Sequence, residues 1–385
     1  MVLIRLYTSV FELAENRLYP PQDIFILQDK PQLIKCLITN LEAVYLMKSS
    51  RLLVCVLFVC LLVLSACSSN SGSSTGGNSG SNATPAPTKE AAAETEQPST
   101  PDKEEKLKIG LTVPTLGNPF FVAMSKGAQE VASKYNAEVV VVSADHDLAK
   151  QTQQFEDFIT QQVDIILLSP FDSQGIAGAV QQAKAAGIPV VALDGSAEGG
   201  IDTVVMSDNV QAGRLAGEYL VERLGGKGNI VIIDGPPVSA VIDRIKGFEE
   251  VISQYPDIKV IANQNGQGNR ETTLTLMEGI LQANKEIDAV FTINDEEGAG
   301  VKIAQEQAGR SDEFFIVGVD GAPIAAEALK EKKSYAATSA QFPNEMAIKG
   351  VELAMKILNG ETVDSEVLIP TQLITQDNVD SYQGW

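Results

Sequence analysis

The sequence of 385 residues has few histidines, cysteines and basic side chains. His146 is its single histidine, and its four cysteines (Cys36, Cys55, Cys60 and Cys67) all lie in the first 67 residues. We therefore expect no disulfide, no thiol site and no metal site with paired histidines beyond Cys67. The formal net charge of −21 argues against nucleic-acid binding, which requires a basic face.

The motifs of common enzyme classes are also missing. Outside the Ser- and Gly-rich stretch that follows Cys67, the sequence has no G-x-S-x-G nucleophile elbow, and it has no G-x-x-x-x-G-K-[ST] phosphate loop. His146 lies between two aspartates, in a stretch that we interpret as a loop, with ligand contact as the alternative. We predict no catalytic residues, no metal and no cofactor, and therefore not an enzyme.

Residues 47–66 have the pattern of an export signal. Lys48 and Arg51 precede Leu52–Leu64, an unbroken apolar run of 13 residues, which suits a signal peptide better than a membrane span. The following Leu-Ser-Ala-Cys resembles a bacterial lipobox. That resemblance implies cleavage before Cys67, lipid on its thiol, and anchoring on the outer face of the cell membrane. An uncut signal anchor is the alternative.

Two further N-terminal regions differ in composition from the rest of the chain. Residues 1–46 show no targeting pattern, and we interpret them as an extension upstream of a true start at Met47. Residues 67–105 begin with the lipidated cysteine and are rich in Ser, Gly and Asn, then in Pro, Ala, Thr and Glu. This region has too few large apolar residues to fold, so we predict a disordered tether.

From Lys106 on, short Val- and Ile-rich runs alternate with amphipathic helical patterns. Runs of this kind are typical of strands buried on both faces, and repeated βα units predict parallel, doubly wound sheets. Ten such runs are many for one open sheet, so we predict an α/β fold of two Rossmann-like lobes that separate near Ser207-Asp208-Asn209. A late helix, Pro343–Leu358, and two extended pieces indicate crossings back between the lobes and a hinged cleft.

Polar residues recur where the predicted strands end. They are Asn118, Asp194, Asn294, Asp320 and Gln341. Ligands bind at the carboxyl ends of strands in open α/β sheets, although each residue alone could be a helix cap or a turn residue. Phe120 and Phe121 lie next to the first of these positions, in a stretch where Asn118 and Pro119 suit the start of a helix. Carboxylates, amides and aromatic rings together suit a sugar.

With these residues in place, Lys108–Thr375 resembles the periplasmic sugar-binding proteins of ABC importers, in particular the ribose-binding type. The likeness is carried by Ile109–Phe121, Leu193-Asp194, Ser207-Asp208-Asn209, Phe291–Glu296, Val317–Pro323 and Ala336–Pro343. It implies the type I periplasmic binding protein fold, with a multi-crossover hinge between the two lobes. One lobe would comprise residues 106–207 with 342–370, and the other residues 208–341 with 371–385.

The resemblance also implies the ligand residues. They are Asn118, Phe120, Phe121 and Asp194 from the first lobe, and Asn294, Asp320 and Gln341 from the second lobe and hinge. The sequence departs from the family pattern at five positions, where a serine is replaced by Pro114, two arginines by Gly195 and Ile242, and two aromatic residues by Gly268 and Val319.

Without those arginines the pocket would lose its strongest fixed hydrogen-bond donors. We therefore expect a neutral ligand other than ribose, such as a hexose, a modified sugar or a polyol. Arg244 and Arg270 lie near the altered positions, and we expect both in solvated ion pairs, with a donor role in the pocket as the alternative.

By resemblance the protein is an extracytoplasmic, monomeric lipoprotein that delivers a sugar to a permease driven by a cytoplasmic ATPase. The alternative is a sensor subunit that presents its ligand to a membrane receptor or kinase. A sugar-responsive repressor of the same fold would need an N-terminal helix-turn-helix, and this sequence has a signal and a polar tether there instead.

Overall fold

The computed structural model describes residues 106–385. The predictions made for residues 1–105, which include the signal, the lipid anchor at Cys67 and the tether, lie outside the described residues. Within 106–385 no helix is long and apolar enough to cross a membrane.

Twelve strands and nine α-helices alternate along the described part of the chain. The strands are β1 (Leu107–Val113), β2 (Ala137–Ser143), β3 (Ile165–Leu168), β4 (Val190–Leu193), β5 (Thr203–Ser207), β6 (Lys227–Asp234), β7 (Asp257–Asn265), β8 (Ala289–Thr292), β9 (Phe315–Asp320), β10 (Tyr335–Ala340), β11 (Glu366–Ile369) and β12 (Gln372–Thr375). The helices are α1 (Pro119–Ala132), α2 (Leu148–Thr160), α3 (Ala177–Ala185), α4 (Asn209–Leu224), α5 (Ser239–Ile252), α6 (Arg270–Ala283), α7 (Asp295–Gln307), α8 (Pro323–Lys330) and α9 (Pro343–Leu358).

The strands form two sheets of six. The first has the order β11-β5-β4-β3-β1-β2, and the second has the order β12-β10-β9-β8-β6-β7. The pairs are parallel except for β10 with β12, which is antiparallel. The prediction of two doubly wound α/β sheets is therefore confirmed.

Apolar cores cover both faces of each sheet. In the first sheet, β3 and β4 are buried at every residue, because one face packs against α1 and α9 and the other against α2 and α3. Two more cores enclose the second sheet in the same way. Burial on both faces explains why these strands read as continuous apolar runs in the sequence.

Within the described residues, the chain crosses between the two layered units three times. It does so from β5 to α4, from β10 to α9, and from β11 to β12, since α4 packs on β9 and β10 and α9 packs on β4 and β5. The crossings lie side by side: Asp208 N donates to Ile369 O at 2.9 Å, and Thr371 N donates to Gln211 Oε1 at 2.8 Å. Three adjacent connections form the predicted hinge.

Local predictions agree with the structure where short-range rules govern them. Asn118 caps α1 by accepting from Phe120 N, and Pro119 is the first helical residue, as expected. The region around His146 is a loop, and this residue has a φ of +60°. The helix α8 was not predicted, because its eight residues between β9 and β10 make a weak periodic signal.

Candidate functional site

The carboxyl ends of strands from both sheets face each other across a partly open cavity of about 60 Å³. One water needs roughly 10–15 Å³ on this measure, so the cavity accommodates several water-sized groups. All seven residues predicted as ligand contacts line it, namely Asn118, Phe120, Phe121, Asp194, Asn294, Asp320 and Gln341. The structure thus brings together residues that are up to 223 positions apart in the sequence.

One wall of the cavity is aromatic. Phe120 is 2% exposed, and its ring meets that of Phe121 edge to face, with centroids 5.3 Å apart. Two further rings, His146 and Phe171, meet edge to face at 5.8 Å and also line the cavity. Burial lowers the pKa of His146, which favours the neutral imidazole. Phe171 was not predicted, although its place just after β3 is the same strand-end signal that marked the others.

Asp194 follows β4 directly and has a φ of +68°. Its carboxylate is buried, and its Oδ1 accepts no hydrogen bond from the described residues. Burial raises the pKa of Asp194 to about 6, while the charge of Arg244 opposes that rise. A buried carboxylate with a free oxygen is an acceptor available to a ligand hydroxyl.

Asp320 ends β9 and presents the second carboxylate. Gln341 Nε2, in the crossing between β10 and α9, donates to Asp320 Oδ1 at 2.7 Å. Burial raises the pKa of Asp320 well above its ordinary value; the charges of Asp295 and Asp194 add to the rise, whereas Arg244 opposes it. The hinge therefore orients one of the two cavity carboxylates.

Arg244 corrects two expectations from the sequence. It is 4% exposed and lines the cavity, so the predicted solvated ion pair is wrong. Its Nε donates to Asn209 Oδ1 at 2.8 Å, and its Nη1 donates to Ile293 O at 2.9 Å. The cavity therefore has a fixed guanidinium after all, while Ile242, where we placed the lost arginine, is 58% exposed.

The position of Arg244 depends on how closely α4 and α5 pack. A Cβ on Gly213 would lie 1.9 Å from Arg244 O, and one on Gly247 would lie 2.1 Å from Val210 O. Only glycine permits these backbone contacts, and they fix the rotation of α5 about its axis. Arg270 forms the expected ion pair, Nη2 to Glu296 Oε2 at 2.7 Å, but the Glu296 side chain is only 10% exposed, so the pair is only partly solvated.

Asn294 combines a structural task with its place in the cavity wall. Its Oδ1 accepts from Glu297 N at 2.8 Å and caps α7, and its Nδ2 donates to Gly268 O at 3.2 Å. Gly268 N in turn donates to Glu297 Oε1 at 2.8 Å. Asn294 and Glu297 together hold the loop that carries Gln267 and Gly268 to the cavity.

Three serines outside the cavity lining join the two units across the cleft. Ser239 N, at the start of α5, donates to Ser173 Oγ at 3.0 Å, and Ser196 N donates to Ser239 Oγ at 2.8 Å. Ser173 Oγ completes the set by donating to Ser196 O at 2.6 Å. We call this set the serine bridge; it joins the two units beside the cavity.

Two layered α/β units, three adjacent connections between them and a cavity that holds carboxylate, amide and guanidinium groups define the class of two-lobed solute-binding proteins. No group of three or more metal-ligating side chains occurs within 106–385. The sequence profile of the periplasmic binding protein domain matches residues 109–362, and the chain belongs to that family.

Individual relatives agree with this assignment. The chain is 38% identical over 282 residues to a ribose import binding protein of Bacillus subtilis, covering 73% of this chain and 91% of the relative. It is 34% identical over 276 residues to a xylitol-binding protein of Mycolicibacterium smegmatis, covering 71% and 78%. Among solved structures, an ABC transporter solute binding protein from Bacillus halodurans with bound myo-inositol is 31% identical, with a TM-score of 0.68 and coverage of 72% and 97%.

Proposed function

We propose that this protein binds a neutral monosaccharide or polyol between its two lobes and delivers it to the permease of an ABC importer. The observation that carries the proposal is the pair of buried carboxylates, Asp194 and Asp320, on either side of the Arg244 guanidinium. Carboxylates accept hydrogen bonds from hydroxyls, and the guanidinium donates them. Phe120 and Phe121 offer ring surfaces to the C–H side of a sugar or polyol.

The charge balance of the cavity favours a neutral ligand. One guanidinium faces two carboxylates, and burial raises the pKa of both, which favours a site with little excess charge. A charged ligand would bring an extra uncompensated charge among largely buried side chains, which is costly. The relatives reported above are described as binding ribose, xylitol or myo-inositol, which are all neutral polyhydroxy compounds.

Closure links binding to delivery. Two of the three hydrogen bonds of the serine bridge form only when the two lobes meet, and a ligand that contacts both lobes shifts the population toward the closed form. A permease that contacts both lobes can then distinguish loaded from empty protein. Because the relatives named above are import and transporter proteins, we do not propose the sensor subunit.

Further details belong to this proposal. We propose that the ligand contacts are Asn118, Phe120, Phe121, Asp194, Asn294, Asp320 and Gln341, to which we add Arg244. We also propose lobes of residues 106–207 with 342–370 and of residues 208–341 with 371–385. The protein would act as a monomer on the outer face of the cell membrane, held by lipid on Cys67.

The test is a thermal-shift screen of the full chain in detergent against D-ribose, D-allose, xylitol and myo-inositol, with amino acids and nucleosides as comparison ligands. A ligand at 100 times its Kd adds about 2.7 kcal/mol of stability. The proposal fails if amino acids or nucleosides raise the melting temperature while no sugar or polyol does.

Variants test the cavity itself. Asp194→Ala and Asp320→Ala should each weaken binding by at least about 1.5 kcal/mol, the scale of a hydrogen bond to a charged group. The exposed Asp257→Ala, at the start of β7, is the matched control and should bind as the wild type does. Wild-type affinity in both cavity variants would refute the assigned site.

A further inference from the structure

The residues after β12 lie beyond the range 109–362 that the family profile matches. They include Tyr382 and Trp385, the single tryptophan of the sequence. Within the described residues neither ring lines the cavity. Trp385 contacts Asp320, which does line it, and Tyr382 contacts the next residue, Gly321. These two residues have no part in the site as described so far.

The first contact point is the turn at the end of β9. Asp320 has a φ of +130° and Gly321 a φ of +71°, so two consecutive residues lie in the left-handed half of conformational space. For Asp320, a residue with a Cβ, this conformation is strained and persists only if its surroundings hold it. The turn carries one of the two cavity carboxylates, and its geometry therefore decides where that carboxylate lies.

Both carbonyl groups of this turn accept hydrogen bonds from the two aromatic side chains. Tyr382 OH donates to Gly321 O at 2.9 Å, and Trp385 Nε1 donates to Asp320 O at 3.0 Å. On the amide side, Gly321 N donates to Thr338 Oγ1 at 3.1 Å. Gln341 N also donates to Asp320 O, at 2.9 Å, so the aromatic pair shares the carbonyl side of the strained turn with one backbone hydrogen bond.

Trp385 also contacts the opposite lobe. Its ring meets that of Phe120 edge to face, with centroids 5.8 Å apart, and it packs against the apolar core between the first sheet and α1. Tyr382 packs instead against a core of the second sheet, to which β12 belongs. One indole therefore joins the backbone of Asp320 in one lobe to the aromatic wall in the other.

We propose that Tyr382 and Trp385 are positioning residues of the ligand cavity. They hold the Asp320–Gly321 turn in its strained conformation, and Trp385 couples that turn to Phe120 when the lobes close. The inference rests on the proposed function for its effect on ligand affinity, but the support of the turn is independent of any ligand.

The test compares Tyr382→Phe and Trp385→Phe with the wild type, using the full chain in detergent. Each variant keeps a six-membered aromatic ring and removes one hydrogen-bond donor, and Trp385→Phe also removes the five-membered ring. The matched control for Tyr382→Phe is Tyr255→Phe, which makes the same change at a residue that is 39% exposed beyond the end of α5. Amide hydrogen exchange without ligand is measured over residues 316–326, and calorimetric titration with D-ribose, xylitol and myo-inositol gives the Kd values.

We expect several-fold faster amide exchange at Gly321 and Ala322 in Tyr382→Phe and Trp385→Phe, and wild-type exchange in the control. The Kd should rise by about three- to tenfold in each variant, the scale on which a single neutral hydrogen bond contributes. A merely structural role would instead raise exchange throughout β9 and β10 and lower the melting temperature in proportion to the loss of affinity.

Two results would overturn the inference. Unchanged exchange at the turn would show that the aromatic pair does not hold it, whether or not any sugar binds. Faster exchange with unchanged Kd values would show that the turn does not position the ligand contact. If the wild-type protein binds no sugar or polyol, the proposed function fails, and the exchange measurement alone decides whether the pair holds the turn.

Discussion

Arg244 lies between Asp194 and Asp320, with its Nη2 3.8 Å from Asp194 Oδ1 and its Nη1 3.8 Å from Asp320 Oδ1. The two aspartates end strands of different sheets, so this one guanidinium links both lobes electrostatically. At 3.8 Å the charges attract without forming hydrogen bonds. The carboxylates therefore keep acceptor positions for ligand hydroxyls.

Replacing Arg244 should damage both the fold and the site. Arg244→Gln leaves two buried carboxylates without their cation, and removing one partner of a buried ionic group costs about 3–5 kcal/mol. We expect a loss of stability near the lower end of that range and at least about 100-fold weaker ligand binding, measured by denaturant unfolding and titration. Near-wild-type binding by this variant would contradict a role of Arg244 in ligand binding.

The matched control is Arg270→Gln. Arg270 also forms an ion pair in the second lobe, but its side chain is 34% exposed and lies outside the cavity lining. The side chain of its partner Glu296 is only 10% exposed, so the change should also cost stability, but we expect unaltered binding because neither residue lines the cavity.

The raised pKa of Asp194 predicts a pH dependence of stability. Its value of about 6 in the folded protein exceeds the ordinary 3.8, so between these values the folded state binds more protons than the unfolded state. The contribution of this group to the free energy of unfolding therefore falls as pH rises from about 4 to about 6. Asp194→Asn should reduce this slope in unfolding measurements without ligand. Part of it should remain, because burial also raises the pKa of Asp295, to about 7.

Ligand affinity should follow the opposite trend with pH. A hydroxyl donates best to the ionised carboxylate, and a pKa of about 6 leaves Asp194 mostly protonated at pH 5 and mostly ionised at pH 7. We expect about tenfold tighter binding at pH 7 than at pH 5, with the dependence weakened in Asp194→Asn. Equal affinity at both pH values would contradict a hydrogen bond to the ionised Asp194.

The serine bridge should set how readily the lobes close. Ser173→Ala removes a donor to Ser196 O and an acceptor for Ser239 N without touching the cavity lining. We expect about three- to tenfold weaker binding, mainly through faster ligand release, because the closed form is less populated. The control is Ser253→Ala at the far end of α5, whose exposed hydroxyl donates to Glu250 O. Equal release rates in Ser173→Ala and the wild type would argue against the bridge.

Gly195 should not tolerate a side chain, because it lies close to the other lobe when the two lobes meet. A Cβ at this position would lie 2.7 Å from Cγ2 of Val238 in the other lobe. We expect Gly195→Ala to weaken ligand binding while leaving the stability of the ligand-free protein nearly unchanged, since the clash arises only on closure. Gly178→Ala in α3 is the control, because a Cβ there meets no atom within 4 Å. Wild-type affinity in Gly195→Ala would contradict this close approach of the lobes.

The sequence predicted much of the fold because the governing signals are local. The Val- and Ile-rich runs match strands β3 and β4 residue for residue, and Asn118-Pro119 marks the start of α1. Parallel topology then places strand-end residues at one edge of each sheet, which is why the sequence alone points to Asp194 and Asp320. Helix α8 has only eight residues, and its periodic apolar pattern is too weak to predict a helix from the sequence.

Local signals cannot determine contacts that depend on how elements rotate and meet. The sequence by itself determined the α/β class, the two-sheet division and the set of strand-end polar residues, because periodicity and capping act over a few positions. Only the tertiary structure decided that Arg244 rather than Ile242 faces the cavity, because close helix packing at Gly213 and Gly247 sets the rotation of α5. It also decided that Trp385 reaches both Asp320 and Phe120, since that meeting requires the two lobes to close around the hinge.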